Sequence, residues 1–320
     1  MLNSLRNSRR LTSVLVAFLF VVSISEARIV RETSDRFTVQ AGGELLVSTQ
    51  GGDIEIQSGE GNEVVVLTRI DFPRADSDAE ADEMMDNLEL TIEQTDRGIR
   101  AEAKNLTKPS GWFSWGGPKR VSVSFSIVVP ENYHVDARTS GGDINLINLG
   151  GIVSGRTSGG DVLARDIDGP VEVHTSGGDI EVFSATGEVA AHTSGGNIRV
   201  RGVDGPVKAS TSGGDVHIEE VHGTVRATTS GGNVSARLLG PLLADALLST
   251  SGGNVSATVS ESISFRLDAR TSGGNVKSSG ISIQIDSGGV GKTKLAGDVN
   301  GGGHTLKLRT SGGNVRLNTI

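Results

Sequence analysis

Nine times along the chain an acid or amide returns in the same setting, behind Thr-Ser-Gly-Gly and ahead of Ile or Val: Asp143, Asp161, Asp179, Asn197, Asp215, Asn233, Asn254, Asn275 and Asn314. The first five intervals are 18 residues, the next two 21 and the last 39. If these copies stack like neighbouring strands, their side chains lie about 4.8 Å apart. Two carboxylates at that distance repel by about 0.9 kcal/mol in bulk water and by about 3.5 kcal/mol at an effective dielectric of 20. The run Asp143, Asp161, Asp179 therefore needs solvent, hydrogen-bond donors or a hard cation, and these three are the weak candidates for a metal site. Five of the nine positions are Asn, which lowers the charge that calcium prefers, and each copy offers one acid at this place. The competing role is structural, with Asp and Asn accepting turn amides after Gly-Gly.

Three other groups of residues could carry chemistry. His174 and His192 are 18 apart and so become neighbours in a stack, but two ligands without a third do not make a transition-metal site. Gly288-Gly289-Val290-Gly291-Lys292-Thr293 has the look of a phosphate-binding loop, yet Asp286 stands where a Walker loop needs Gly. Lys294 to Val299, immediately after it, read as more solenoid where such a loop needs a helix, so no nucleotide is expected. Both tryptophans fall in Gly111-Trp112-Phe113-Ser114-Trp115-Gly116-Gly117, where Trp112, Phe113 and Trp115 form a candidate partner contact or, alternatively, a plug for an open end. No acid pair announces general acid and base work, and no catalytic or cofactor-binding residue is assigned.

Self-similarity at a short fixed period means one supersecondary unit stacked on copies of itself. Within each copy, Val171-Glu172-Val173-His174-Thr175, Val207-Lys208-Ala209-Ser210-Thr211 and Val225-Arg226-Ala227-Thr228-Thr229 alternate apolar and polar with period two. That pattern is a strand with the threonine on the inward face. A second short strand comes after each Gly-Gly, as in Ile180-Glu181-Val182 and Ile198-Arg199-Val200. A second turn then closes the coil, at Asp168-Gly169-Pro170 or Asp204-Gly205-Pro206. The expected fold is all-β: a parallel β-solenoid of about 18-residue coils with two short strands each, its corners made of glycine because glycine accepts positive φ. Between Thr271 and Thr310, Asp286-Ser287-Gly288-Gly289 reads as the corner of a degenerate coil.

Residues 1–27 read as a signal peptide: Arg6, Arg9 and Arg10 precede an apolar stretch from Leu11 to Ile24, and Ala27 suits cleavage. Residues 28–133 read as an irregular β-rich N-terminal cap with a first degenerate coil at Thr49-Gln50-Gly51-Gly52-Asp53-Ile54. The acidic, Ala-rich run Asp76 to Asn87 is its one short helix. Residues 134–320 are the solenoid repeats. The chain has no cysteine, which excludes disulfides and thiolate chemistry. A formal charge of −8 and 3% aromatic residues argue against nucleic acid as a partner. After the signal no run is apolar enough to span a bilayer, so an exported mature chain without a transmembrane helix is expected, in the periplasm, at the cell surface or secreted.

The signal, the start Phe37-Thr38-Val39-Gln40-Ala41-Gly42-Gly43, the worn Gly51-Gly52-Asp53-Ile54, the strand ending at Pro130 and the Thr-Ser-Gly-Gly coils together resemble the bacterial putative-adhesin domain family. The resemblance covers about residues 35–320. It implies an exported β-solenoid with a cell-surface or envelope partner, and it brings no catalytic residue. The function expected is a non-catalytic surface-binding or scaffold module. Its alternatives are a calcium-stabilised solenoid and a carbohydrate-active β-helix enzyme.

Overall fold

A computed structural model describes residues 29–106 and 121–320. Among them the chain forms two long sheets, of 14 and 13 strands, that face each other across one apolar core. In each coil the strand before Thr-Ser-Gly-Gly belongs to the first sheet and the strand after it to the second. The coils stack without slippage at the 18-residue period. Val153, Val171, Val189 and Val207 are register partners in the first sheet, and Val162, Ile180, Ile198 and Val216 are partners in the second. In the Thr193 coil, Val189, Ala191, Thr193, Ile198, Val200 and Val203 all point inward and are buried. One coil cannot offset the cost of ordering its own backbone, so each is stable only between two others.

Glycine marks the corners as expected, but mostly for another reason than positive φ. Gly160, Gly178, Gly196, Gly214 and Gly232 do not lie in the left-handed region. A Cβ added to Gly196 would stand 1.9 Å from the carbonyl oxygen of Gly178 one coil earlier, and its counterparts meet the same obstacle. The second glycine of the motif is there because stacked corners touch backbone to backbone. Positive φ is kept at the corner glycines Gly52, Gly151 and Gly169, at 145°, 105° and 147°, and it also appears away from the corners, at Asn148, Asp166, Ser184, Gly202 and Glu220, where φ runs from 54° to 69°. These five are 18 apart and bend the second-sheet strand before its last inward residue, such as Ala185 or Val203.

At both ends the order of coils in space departs from their order in sequence. The last coil, Thr305–Thr310 with Val315–Thr319, is inserted between the Thr250 coil and the Thr271 coil. The Thr271 coil is therefore the outermost, although 39 residues separate its threonine from Thr310. At the other end, Gly98–Asn105 and Ser122–Pro130 lie outside the coil of Glu44–Thr49 and Ile54–Gly59. That earlier coil is enclosed between them and the Thr139 coil.

The segment around Asp286 is not a coil. Gln284–Gly291 and Lys294–Val299 form an antiparallel hairpin, and the second of these strands pairs with Phe265–Thr271 to extend the first sheet. At the amino-terminal end, Ile29–Thr38 and Glu63–Phe72 add two antiparallel strands to the second sheet. Leu88–Gln94 adds one to the first sheet. The expected helix spans Asp78–Met85, capped by Ser77, whose side chain accepts from the Glu80 amide. Its buried Ala81 and Met84 join the core at this end.

Candidate functional site

Two hydrogen-bonded columns run along the Ser-Gly-Gly edge. In the first, each threonine hydroxyl donates to the second-glycine carbonyl of the coil before it: Thr175 to Gly160 at 2.8 Å, Thr193 to Gly178 at 3.0 Å and Thr211 to Gly196 at 2.9 Å. The same hydroxyl accepts the second-glycine amide of its own coil, Gly196 to Thr193 at 3.3 Å. All nine motif threonines are buried. The column passes through the inserted coil, with Thr310 donating to Gly253 and Thr271 to Gly313, each at 2.7 Å. A hydroxyl used in both directions by backbone groups is structural, since an unpaired amide or carbonyl there would be costly.

The second column is the row of acids and amides. Each Oδ1 accepts the backbone amide of its counterpart in the next coil: Asp143 from Asp161 at 2.8 Å, Asp161 from Asp179 at 2.7 Å and Asp179 from Asn197 at 2.6 Å. Asn197 serves Asp215 in the same way at 2.9 Å, which is why Asp and Asn interchange along the row. An acceptor oxygen is the shared requirement. Among the described residues no group of three or more His, Asp or Glu gathers as a metal site.

Outward residues make up the remainder of the surface. His174 and His192 stack, with ring centroids 5.0 Å apart and planes 15° from parallel. Burial, the adjoining His192 and Arg156 all push the His174 pKa below its ordinary value, against the pull of Glu172. His192 turns its Nδ1 to Ser210 Oγ at 2.6 Å. On the second sheet, Arg201 grips Glu220 with Nε and Nη2 at 3.1 and 3.2 Å and holds its carboxyl below the usual range. Near the carboxyl-terminal end Asp268 receives both Arg270, at 3.0 Å, and Arg309. Burial works to raise Asp268, yet the two guanidinium groups hold it low. Lys208 and Arg226 are register partners in adjacent coils, exposed, and make no ion pair among the described residues.

Glu60 and Glu131 line an open depression with Asn62, Asn132 and Asn148 beside the second corner of the enclosed amino-terminal coil. The phosphate-loop lookalike lies in the hairpin, where Gly291 leads through Lys292 and Thr293 into a strand. Trp112, Phe113 and Trp115 lie outside the described residues, as does the signal segment. Sequence reasoning missed the basic character of the carboxyl-terminal end, for which the signal was a charge count: residues 226–320 hold ten Lys and Arg against five Asp and Glu.

The fold and the two columns define a two-sheet parallel β-solenoid whose recurrent residues hold coil to coil. The chain belongs to the Toastrack DUF4097 family, which it matches over residues 44–318. Several solved structures are similar to it. A putative adhesin from Bacteroides fragilis shares 10% identity, covers 90% of this chain and 97% of its own, and superposes with a TM-score of 0.36. A putative adhesin from Parabacteroides distasonis gives 11% identity, the same coverage and the same score. A putative cell adhesion protein from Clostridium sporogenes gives 12% identity, covers 90% of this chain and 100% of its own, and scores 0.22. No curated protein matches. Among the described residues no helix is long and apolar enough to cross a membrane.

Proposed function

We propose that this chain is an exported, non-catalytic solenoid that serves as an adhesin-like surface-binding or scaffold module of the cell envelope. One observation carries the reading: the threonines and the Asp/Asn row, the residues repeated from coil to coil, are engaged in hydrogen bonds between coils. The outward columns, which change from coil to coil, are left to meet a partner. Export rests on the basic, then apolar, amino-terminal segment.

Binding of the labelled mature chain to intact cells or envelope fragments tests this. Binding should be saturable and should weaken at least about tenfold when Lys208→Glu and Arg226→Glu, or Trp112→Ser and Trp115→Ser, are introduced without changing the melting midpoint. Absence of saturable binding to any envelope fraction would count against adhesion. Cleavage of a polysaccharide by the mature chain would replace the reading with a carbohydrate-active one. Melting with and without a calcium chelator should give the same midpoint, because Asp143, Asp161 and Asp179 already accept amides. A fall of several degrees on chelation would assign the row to calcium.

A further inference from the structure

The two ends of the rod carry opposite charge. Residues 29–133 hold 19 Asp and Glu against ten Lys and Arg. Their excess gathers at the outer end, where the helix joins the second cap strand of one sheet to the edge strand of the other. Asp78 and Glu83 on this helix and Asp86, which caps its end, are exposed and make no ion pair among the described residues, while Asp82 holds Arg31 at 2.6 Å.

The opposite end is basic because of how the chain folds back. Lys277, on the outermost strand of the second sheet, is the register partner of Arg316. The hairpin brings Lys294 opposite Arg270. It also sets Lys292 over the terminal corner, where its carbonyl accepts the Val276 amide at 2.9 Å. Lys277, Lys292, Lys294 and Arg316 make no ion pair among the described residues, and Lys277, Lys292 and Arg316 are exposed.

Among the described residues each end also presents strand edges with an unpaired side: Ile29–Thr38 and Leu88–Gln94 at one end, Val276–Ser279 and Gln284–Gly291 at the other. Charge on an edge strand discourages pairing with another edge of the same sign. Here it does so for like ends alone. Acidic end against acidic end and basic against basic repel, whereas acidic against basic attract. The 13 strands of the second sheet separate the ends by about 58 Å, and the Debye length at physiological salt is about 8 Å. The two ends therefore cannot neutralise each other within one chain.

We propose that copies of this chain associate head to tail, the acidic helix end of one docking on the basic hairpin end of the next. Such a contact is heterologous and does not close, so it builds rows of rods instead of a fixed oligomer. It is independent of whether the outward columns bind an envelope partner.

Sedimentation velocity of the mature chain, with two charge-reversed variants, tests it. One variant carries Asp78→Lys, Glu83→Lys and Asp86→Lys, and the other Lys277→Glu, Lys292→Glu and Arg316→Glu. At ionic strength of about 0.01 M, where the Debye length is about 30 Å, the unaltered chain should show weight-average mass rising at least about twofold with concentration. The rise should vanish at about 1 M salt. Each variant alone should lose the rise, since the reversals take the charge of residues 78–86 from −5 to +1, and that of Lys277, Lys292, Lys294 and Arg316 together from +4 to −2, so that the altered surface no longer opposes the one it would meet. An equimolar mixture of the two should associate again, because the unaltered basic hairpin end of one variant then meets the unaltered acidic helix end of the other. Circular dichroism melting establishes that both variants are folded. A monomer at every concentration in low salt, association untouched by either variant, or a mixture that stays monomeric would each overturn the proposal. Binding of the basic end to an acidic polymer without self-association would do so as well.

Discussion

Thr193 shows how the repeated residues work. Its hydroxyl joins Gly178 of one coil to Gly196 of its own, in a site with no access to water. Replacing it with valine keeps the shape but leaves an amide and a carbonyl without partners. Thr193→Val should cost about 1–3 kcal/mol in denaturant unfolding, while Thr228→Ala on the outward face should stay within about 0.5 kcal/mol. The inward placement of the threonines was legible from their phase with Val and Ala. The Asp/Asn role was legible only in part. A short polar side chain after Gly-Gly suggests a turn amide, but the amide it serves belongs to the next coil, a contact that local sequence does not display. His174 makes a pH-dependent contribution. Unfolded, it titrates near 6.5, and in the fold burial and the adjoining His192 and Arg156 lower that value. Its contribution is complete above pH 6.5 and is lost as pH falls from 6.5 toward the lower folded value, because the unfolded chain then binds more protons. Melting midpoints should fall between about pH 7.5 and pH 5.5, and His174→Gln should reduce that fall. An equal fall in the variant would place the sensitivity elsewhere.

At the scale of the coil, the corner sets the tightest constraint. Gly196→Ala would drive a Cβ to 1.9 Å from the Gly178 carbonyl. It should cost about 3 kcal/mol or more by thermal or denaturant unfolding. Gly51→Ala, with nothing within 4 Å of its Cβ, should fall within about 0.5 kcal/mol. Equal effects at the two positions would mean that the corners do not touch. The glycine pattern pointed to the corners, but a one-dimensional pattern cannot say what lies above a residue, so contact was mistaken for conformational freedom. The column of left-handed residues was hidden for a related reason: Asn148, Asp166, Ser184, Gly202 and Glu220 share a backbone state and no single residue type. The hairpin was hidden by mimicry, since Asp286-Ser287-Gly288-Gly289 copies the corner motif while its strands run antiparallel.

For the whole molecule, periodicity established the solenoid and could not establish its order. The Thr250, Thr271 and Thr310 coils all read Thr-Ser-Gly-Gly-Asn-Val, so nothing local distinguishes which lies on which. The outer position suits the Thr271 coil because Ser278 stands where the neighbouring strand has buried Leu317. Polar inward residues fit the end of a stack and not its middle. The enclosed coils at both ends tie residues distant in sequence, as Ser249 is tied to Arg309, so that neither end is a simple last rung free to fray. Because the chain has no cysteine, paired substitutions read the order directly. Ser249→Cys with Arg309→Cys, and Arg270→Cys with Arg309→Cys, join register partners about 4.8 Å apart and should form disulfides under mild oxidation. Ser249→Cys with Arg270→Cys spans two strands, about 9.6 Å, and should not. Ready closure of that third pair, with failure of the first, would contradict the inserted coil and the stack built around it.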